Sequence, residues 1–176
     1  MLKPRANATI GLGLLLSALL FAGSARAADT GKTLETAIFA GGCFWCVESD
    51  FDAVPGVVKT VSGFTGGITP NPTYKQVVNE ATGHREAVRI TFDPKKVTYA
   101  HLVDILFHSV DPTDGGGQFC DRGVSYTTAI YATTPEQKQI AEKVKKTLQN
   151  SGVLKAPIVT PIEDAGPFFP AEDYHQ

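Results

Sequence analysis

Cysteine is scarce in this chain, with three among 176 residues, which is too few for a scaffold held together by disulfide bonds. An excess of either charge is also missing, because 16 lysine and arginine residues accompany 18 aspartate and glutamate residues. No basic stripe is present, so we do not expect a nucleic-acid partner. Internal repeats and low-complexity segments are absent as well. With 43% hydrophobic residues, the composition predicts one soluble domain with a hydrophobic core.

The first 27 residues have the features of a secretory signal peptide. Lys3 and Arg5 give a basic start, an apolar run follows at 10–22, and the residues Ala-Arg-Ala at 25–27 match a cleavage site. The run is short for a membrane span, although a retained N-terminal anchor is the alternative. We therefore expect residues 28–176 to be the mature domain, exported to the bacterial periplasm, where thiols meet oxidising conditions.

Short hydrophobic runs alternate irregularly with helical patterns along the mature chain. Helices are predicted to begin near Cys43, at 74–78, after Thr98 and after Thr134, where Gln137 is expected to complete a capping box. Strands are predicted at 34–40, 57–64, 86–92, 125–132 and 158–162, with a long loop at 111–124 and an aromatic, proline-containing tail at 166–176. Several strands are hairpin-like, which favours a single α+β domain. We expect a two-layer sandwich of a mixed or antiparallel sheet with helices, and a ferredoxin-like core.

The segment GGCFWCVE at 41–48 contains the only tryptophan and two of the three cysteines. It follows a predicted strand and begins a predicted helix, whose first-turn N–H groups have no partner within the helix. These groups and the helix dipole stabilise a thiolate, so we expect the pKa of Cys43 to be lowered and its sulfur to be nucleophilic. Cys46 lies one turn further on and could resolve a sulfenic acid or pair with Cys43.

Other functions are open to a Cys-x-x-Cys pair at a helix start. A thioredoxin-type dithiol that exchanges disulfides is the main alternative, because it has the same arrangement. Two buried, unreactive cysteines are a second alternative. A zinc-stabilised module is less consistent with the sequence, because a zinc site needs further ligands at close spacing. The remaining candidate ligands are isolated along the chain: Cys120, His84, His101, His108 and His175.

Residues 42–48, GCFWCVE, resemble the active-site segment of the peptide methionine sulfoxide reductase A family. Further blocks resemble the family in the same order along the chain: GFTGG at 63–67, NPTY at 71–74, TGHRE at 82–86, DPT at 111–113, DRG at 121–123 with Tyr126, and PAEDYHQ at 170–176. The resemblance extends over essentially the whole mature chain. One position departs from it, since the family commonly has glycine where this chain has Cys46.

The resemblance implies an enzyme that reduces methionine-(S)-sulfoxide, free and in proteins, to methionine and so repairs oxidative damage. Cys43 would attack the sulfoxide sulfur and become a sulfenic acid. Glu86 matches the proton donor of the family, and partial burial at the start of a strand would raise its pKa and keep it protonated. Glu48 is the nearest competing carboxylate, but its place in the first turns of the helix indicates a structural role.

Five further residues match the substrate-binding positions of the family. Phe44 and Trp45 would form the apolar wall that receives the methyl group of the substrate. Tyr74, Asp121 and Tyr126 would hydrogen-bond the sulfoxide oxygen or order a water molecule beside it. We expect no metal and no bound cofactor, and we expect a monomer.

Regeneration of the enzyme is where the chain departs from the commonest family pattern. Many members extend beyond the DYHQ block at 173–176 and carry recycling cysteines there, whereas this chain stops at Gln176. Either the sequence is truncated or the recycling thiol is internal. Cys46, which we favour slightly, and Cys120 are the two internal candidates. A disulfide with either one would need an external dithiol reductant, thioredoxin-like by resemblance to the family, to complete the cycle.

Overall fold

A computed structural model describes Met1 and residues 33–176, so the predicted signal peptide lies outside the described residues except for Met1. The elements follow in the order β1 (Glu35–Gly41), α1 (Phe44–Asp52), β2 (Val57–Thr65), α2 (Tyr74–Val78), β3 (Arg85–Phe92), α3 (Tyr99–Ser109), β4 (Gly117–Gln118), β5 (Asp121–Arg122), β6 (Thr128–Ala132), α4 (Pro135–Asn150), β7 (Ile162–Asp164) and β8 (Phe169–Pro170). Within this described part of the chain, no helix combines the length and apolar character needed to cross a bilayer.

Six of the strands form one mixed sheet in the order β7-β6-β1-β3-β2-β8. The pairs β6–β1, β1–β3, β3–β2 and β2–β8 are antiparallel, whereas β7 is parallel to β6. The main hydrophobic core lies between one face of this sheet and helices α1, α3 and α4. The predicted single domain with a mixed sheet and helices is therefore confirmed.

Strand β1 is central and is buried on both faces. Its side chains alternate, so that Phe39 faces the helices whereas Ile38 belongs to a smaller cluster on the opposite face. The Phe39 ring lies 5.5 Å from the Phe51 ring of α1 and 6.0 Å from the Tyr99 ring of α3, measured between centroids. Because β1 runs directly into the GGCFWC segment, this packing fixes the point at which that segment leaves the sheet.

Two predicted strands are misplaced. The strand predicted at 125–132 begins only at Thr128, because Val124–Tyr126 forms a 3-10 turn in which the Tyr126 N–H donates to the Gly123 carbonyl over 3.1 Å. The last predicted strand, 158–162, is also wrong, since β7 starts at Ile162. The Val159 N–H instead donates to the Pro112 carbonyl over 2.8 Å, so this stretch pairs with a loop.

The two segments predicted without strands each contain short strand structure. The loop at 111–124 contains the β4–β5 hairpin, and the tail contains β8 and a 3-10 turn at Asp173–His175. Strand β8 pairs with the end of β2, with Pro170 opposite Gly63. The Gln176 side chain donates to the Ser62 carbonyl over 3.1 Å, which fastens the end of the tail to the same strand.

The predicted capping box of α4 is half formed. The Thr134 hydroxyl accepts from the Gln137 N–H over 3.2 Å, but the Gln137 side chain accepts from the Thr133 N–H, over 3.1 Å, rather than from the capping residue. Its amide nitrogen donates to the Thr36 carbonyl over 2.8 Å. Gln137 therefore connects α4 to Thr36 near the start of β1. A local sequence rule cannot predict this contact between distant residues.

Candidate active site

Cys43 occupies the capping position of α1, directly after a backbone turn that only glycine suits. Gly42 has a left-handed φ of 89°, and a β-carbon built there would lie 2.6 Å from the Gln118 β-carbon. The Cys43 carbonyl accepts the first helical bond, from the Cys46 N–H over 3.1 Å. The strand, the glycine turn and the helix start thus place the Cys43 thiol in a half-buried position.

The expected lowering of the Cys43 pKa is wrong for this structure. Burial raises the pKa of the Cys43 thiol, and the N–H groups of Cys46 and Trp45 oppose this rise only in part. Negative charge on the neighbouring Cys46 and Glu86 raises the pKa further. The helix start acts in the predicted direction, but desolvation is the larger effect.

Glu86 lies on β3 with 1% of its surface exposed. The Phe44 N–H, one of the groups that α1 leaves free, donates to the Glu86 carboxylate over 2.9 Å. Burial raises the pKa of Glu86 to about 7, and the Asp121 charge adds to the rise, whereas the Phe44 N–H and the Tyr126 side chain partly offset it. A carboxyl group with this pKa is half protonated near neutral pH and can donate a proton.

Three predicted polar residues come together beside Glu86. Tyr74 is the first residue of α2, Asp121 begins β5, and Tyr126 ends the 3-10 turn. Burial raises the pKa of Tyr126, and the nearby charges of Glu86 and Tyr74 contribute. Burial also raises the pKa of Tyr74, with Glu86 as the next cause and a hydrogen bond with Tyr126 opposing it. Both phenols stay protonated at neutral pH and can donate hydrogen bonds.

The two aromatic residues that follow Cys43 differ in exposure. Phe44 is buried, with its ring centroid 6.0 Å from Trp45 and 6.1 Å from Tyr74. Trp45 is 52% exposed, and its indole N–H donates to the His175 carbonyl over 3.0 Å. An exposed indole held by a hydrogen bond forms a rigid apolar surface beside the thiol.

His175 is a residue of this aromatic cluster that sequence reasoning missed. Its ring lies 4.5 Å from Tyr74, 5.1 Å from Phe44 and 5.4 Å from Trp45 between centroids, with 4% of the residue exposed. Neither ring nitrogen has a hydrogen-bond partner among the described residues. The only sequence indication was the DYHQ block, because 130 residues separate Trp45 from His175.

Glu48 fastens α1 to the sheet. The Ser62 hydroxyl donates to its carboxylate over 2.6 Å, and the Thr60 hydroxyl donates to it over 3.2 Å. The structural role predicted for Glu48 thus has a different physical cause, since the carboxylate bonds to β2 and lies beyond the first turn of the helix.

All three cysteines line one cavity of about 190 Å³, together with Asp50, Phe119 and Asp121. Cys43 is half-buried, Cys46 and Cys120 are exposed, and none of the three is in a disulfide. Within residues 33–176, no group of three or more histidine, cysteine or acidic side chains is arranged to hold a metal ion. The structure therefore brings the distant Cys120 to the same cavity as Cys43 and Cys46.

Glu80 is a second residue that sequence reasoning missed. It has a left-handed φ of 59°, a conformation that costs a residue with a β-carbon roughly 1–2 kcal/mol. Its carboxylate accepts from the Ser125 hydroxyl over 2.7 Å and from the Ser125 N–H over 3.2 Å. A β-carbon on Gly123 would lie 2.4 Å from the same carboxylate. Glu80 thus holds the turn that carries Tyr126.

Replacing Glu80 by alanine should raise the pKa of Glu86, because a displaced Tyr126 no longer stabilises the ionised carboxylate. The free energy of unfolding should fall by about 1–3 kcal/mol, since Ser125 loses a buried acceptor. A carbon-detected NMR titration of the Glu86 carboxyl and a urea titration measure the two effects. Glu80→Gln is the matched control, because it keeps an acceptor and the same backbone strain. An unchanged Glu86 pKa in the alanine variant would contradict the link to Tyr126.

Comparison with known proteins identifies the same family that the sequence blocks resemble. The family model "Peptide methionine sulfoxide reductase" matches residues 35–176. The chain is 59% identical over 145 residues to a peptide methionine sulfoxide reductase MsrA of Limosilactobacillus reuteri, covering 82% of this chain and 83% of the relative.

Solved structures of methionine sulfoxide reductases have a fold similar to that of this chain. Methionine sulfoxide reductase A of Corynebacterium diphtheriae is 39% identical with a TM-score of 0.71, covering 81% of this chain and 72% of the other. Reduced Mxr1 of Saccharomyces cerevisiae is 28% identical with a TM-score of 0.76, covering 84% of each chain. Mxr1 has also been solved in complex with Trx2, where the likeness to this chain is 20% identity, a TM-score of 0.57, and coverage of 84% and 86%. The chain belongs to the peptide methionine sulfoxide reductase family of oxidoreductases.

Proposed function

We propose that this chain reduces methionine-(S)-sulfoxide, free and in proteins, to methionine, with Cys43 as nucleophile and Glu86 as proton donor. The observation that carries the proposal is the Phe44 N–H bond to Glu86, which holds a carboxyl of pKa about 7 beside the Cys43 helix start. The exposed Trp45 ring and the buried Phe44 ring supply an apolar wall for the methyl group. Repair of oxidised methionine is the chemistry of the family to which the chain belongs.

The reduction balances with these two residues alone. The Cys43 thiolate attacks the sulfoxide sulfur while Glu86 protonates the oxygen, and Tyr74, Asp121 and Tyr126 bind that oxygen or a water molecule beside it. The sulfoxide sulfur gains two electrons and leaves as methionine. The Cys43 sulfur loses two electrons and keeps the oxygen as a sulfenic acid.

Regeneration requires a second thiol and then an external dithiol. A thiol condenses with the sulfenic acid to give a disulfide and water, and Cys46 and Cys120 line the same cavity as Cys43. A thioredoxin-like protein then reduces the disulfide by thiol exchange. The yeast relative Mxr1 has been solved in complex with Trx2, which favours this class of reductant. We propose that the chain acts as a monomer without a metal or bound cofactor.

A dithiol oxidoreductase that exchanges disulfides between proteins agrees less well with the site. That reaction uses Cys43 and Cys46 but gives no role to a buried carboxyl or to the two tyrosines beside it.

We also assign a ferredoxin-like core to the four strands β6-β1-β3-β2. Adjacent strands within this set of four are antiparallel, and β3 lies between β1 and β2, which α1 connects. This split β-α-β arrangement, repeated by β3, α3 and β6, supports the assignment. Strands β7 and β8 extend the two edges.

Incubation with dithiothreitol and racemic N-acetyl methionine sulfoxide should consume the S epimer and leave the R epimer. Cys43→Ser should form no methionine, because the attacking sulfur is gone. Cys46→Ser serves as the control, since it should still form methionine in a single turnover. Chiral chromatography follows both epimers. Reduction of insulin without consumption of either epimer would favour disulfide exchange instead.

The pH dependence of kcat/KM should rise with pH and level off near pH 7. The thiolate fraction of Cys43 grows with pH, but above the Glu86 pKa of about 7 the protonated fraction of the acid falls at the same rate. Glu86→Gln should lower kcat/KM on the order of 10² to 10⁴-fold, and the remaining kcat/KM should keep rising through pH 7. Glu48→Gln is the control, and its kcat/KM should still level off near pH 7. If kcat/KM of Glu86→Gln also levels off near pH 7, a group other than Glu86 causes this change of slope.

We propose further that residues 1–27 are a signal peptide and that residues 28–176 act in the bacterial periplasm. Expression of the full chain in a Gram-negative bacterium should give a periplasmic protein whose N-terminal residue is Ala28. Ala27→Leu should block cleavage, because the processing site requires a small residue there. N-terminal sequencing of the fractionated protein tests this, and a mature protein that still begins at Met1 would contradict it.

A further inference from the structure

The tip of the β4–β5 hairpin combines two unfavourable features that folding does not explain. Gln118 and Asp121 form the last strand pair, so Phe119 and Cys120 are a two-residue loop. Phe119 has a left-handed φ of 50°, where such loops favour glycine. Its side chain is also 78% exposed, although burial of an aromatic ring would stabilise the fold. Strained residues of this kind are concentrated at functional sites.

Hydrogen bonds hold the base of this hairpin next to Gly42, the residue before Cys43. The Gln118 side chain is buried, accepts from the Asp111 N–H over 2.8 Å and donates to the Asp111 carbonyl over 2.9 Å. Its β-carbon fills the space beside Gly42. On the other strand, the Arg122 guanidinium donates to both Asp114 carboxylate oxygens, over 2.6 and 2.9 Å. These contacts hold the base of the hairpin on the loop at 111–114 and against Gly42, the residue before Cys43.

The cavity with the three thiols opens at this tip. Cys43, Cys46, Cys120 and Phe119 line it together with Asp121, which is also proposed to bind the sulfoxide oxygen, whereas Phe44, Trp45, Tyr74 and Tyr126 do not line it. Cys43 and Asp121 therefore border both regions, whereas the exposed Cys46 and Cys120 line only the cavity. Cys46 and Cys120 therefore approach Cys43 from a side that the four aromatic residues of the sulfoxide pocket do not line.

We infer that the hairpin tip is the docking surface for the dithiol reductant, with Phe119 as its apolar contact and Cys120 as the thiol that the reductant attacks. The inference rests on the proposed function. Its occupant is a thioredoxin-like protein rather than a small thiol, because the exposed Phe119 ring beside the exposed Cys120 thiol offers an apolar contact to a protein surface.

The thiol steps balance as follows. The Cys46 thiolate attacks the Cys43 sulfenic acid, which forms the Cys43–Cys46 disulfide and releases water. The Cys120 thiolate attacks the Cys46 sulfur, forms the Cys46–Cys120 disulfide and frees the Cys43 thiolate. One thiolate of the reductant attacks Cys120, and its second thiol resolves the mixed disulfide. The reductant loses two electrons and two protons, and both Cys46 and Cys120 return to thiols.

Two substitutions separate docking from chemistry. Phe119→Gly removes the ring and suits the left-handed backbone, so the variant should fold at least as well as the parent. The ratio of turnover supported by bacterial thioredoxin to turnover supported by dithiothreitol should fall about ten-fold, because a small dithiol needs no docking surface. Val153→Ser is the matched control, since Val153 is 76% exposed but lies outside the cavity, and its ratio should equal that of the parent.

Mass mapping tests the route. After one equivalent of sulfoxide, alkylation and trypsin digestion, Cys43 and Cys46 share the peptide 33–59 and Cys120 lies on 97–122. We expect these two peptides to be joined by the Cys46–Cys120 disulfide, with the alkyl group on Cys43. In a separate measurement, Cys120→Ser should lose turnover supported by thioredoxin. An unchanged ratio in Phe119→Gly overturns the docking surface, and normal cycling of Cys120→Ser overturns the route. If the parent protein fails to reduce sulfoxide even with dithiothreitol, the proposed function itself fails, and the inference fails with it.

Discussion

The hydrogen bond from the Phe44 N–H to the buried Glu86 carboxylate is the contact on which the site depends. It exists because α1 begins at Phe44, so that this N–H has no partner within the helix. It joins residues 42 positions apart and places the helix start, with Cys43 at its cap, directly against β3. Without this bond, the Glu86 carboxyl, which is 1% exposed, would lose a principal hydrogen bond. Its pKa would then rise further, because burial raises the pKa and the Phe44 N–H partly offsets that rise.

Cys43 has two different environments around its thiol. On one side are a buried acid, phenols and aromatic rings, where burial raises the pKa of Glu86 to about 7 and raises the pKa of the Cys43 thiol above its ordinary value. On the other side is a small cavity with two exposed thiols. The glycine before Cys43 allows both, because a β-carbon at Gly42 would push away the hairpin that forms the wall of the cavity. The chemistry of a reductase needs these two sides, since the sulfur must first meet an oxidant and then a reductant.

Local patterns in the sequence predicted the helix starts that depend on residues adjacent in the chain. The start of α1 at Cys43, the short helix Tyr74–Val78 and the cap at Thr98 all follow from residues adjacent in the chain. The resemblance named the residues that now surround Cys43, because the family blocks carry them. The strand at 158–162 was misplaced since its backbone bonds to a loop far away in sequence, which no periodicity reports.

The remaining misses are also consequences of tertiary structure. The Cys43 pKa was assigned from the helix start alone, whereas burial by distant segments outweighs that local effect. Glu80 and Phe119 act through left-handed backbone conformations that their residue types do not indicate. His175 meets Trp45 across 130 residues, so no window of the sequence could pair them.

That last separation has a consequence for biosynthesis. A chain that leaves the ribosome presents its nucleophile long before residue 175 has been made, and the indole of Trp45 cannot be fixed until the His175 carbonyl arrives. The β8 strand and the Gln176 side chain, which hold this tail on β2, come equally late. A growing chain therefore carries a reactive cysteine without a finished pocket around it. The thiol acquires its selective surroundings only when residues 169–176 dock on β2.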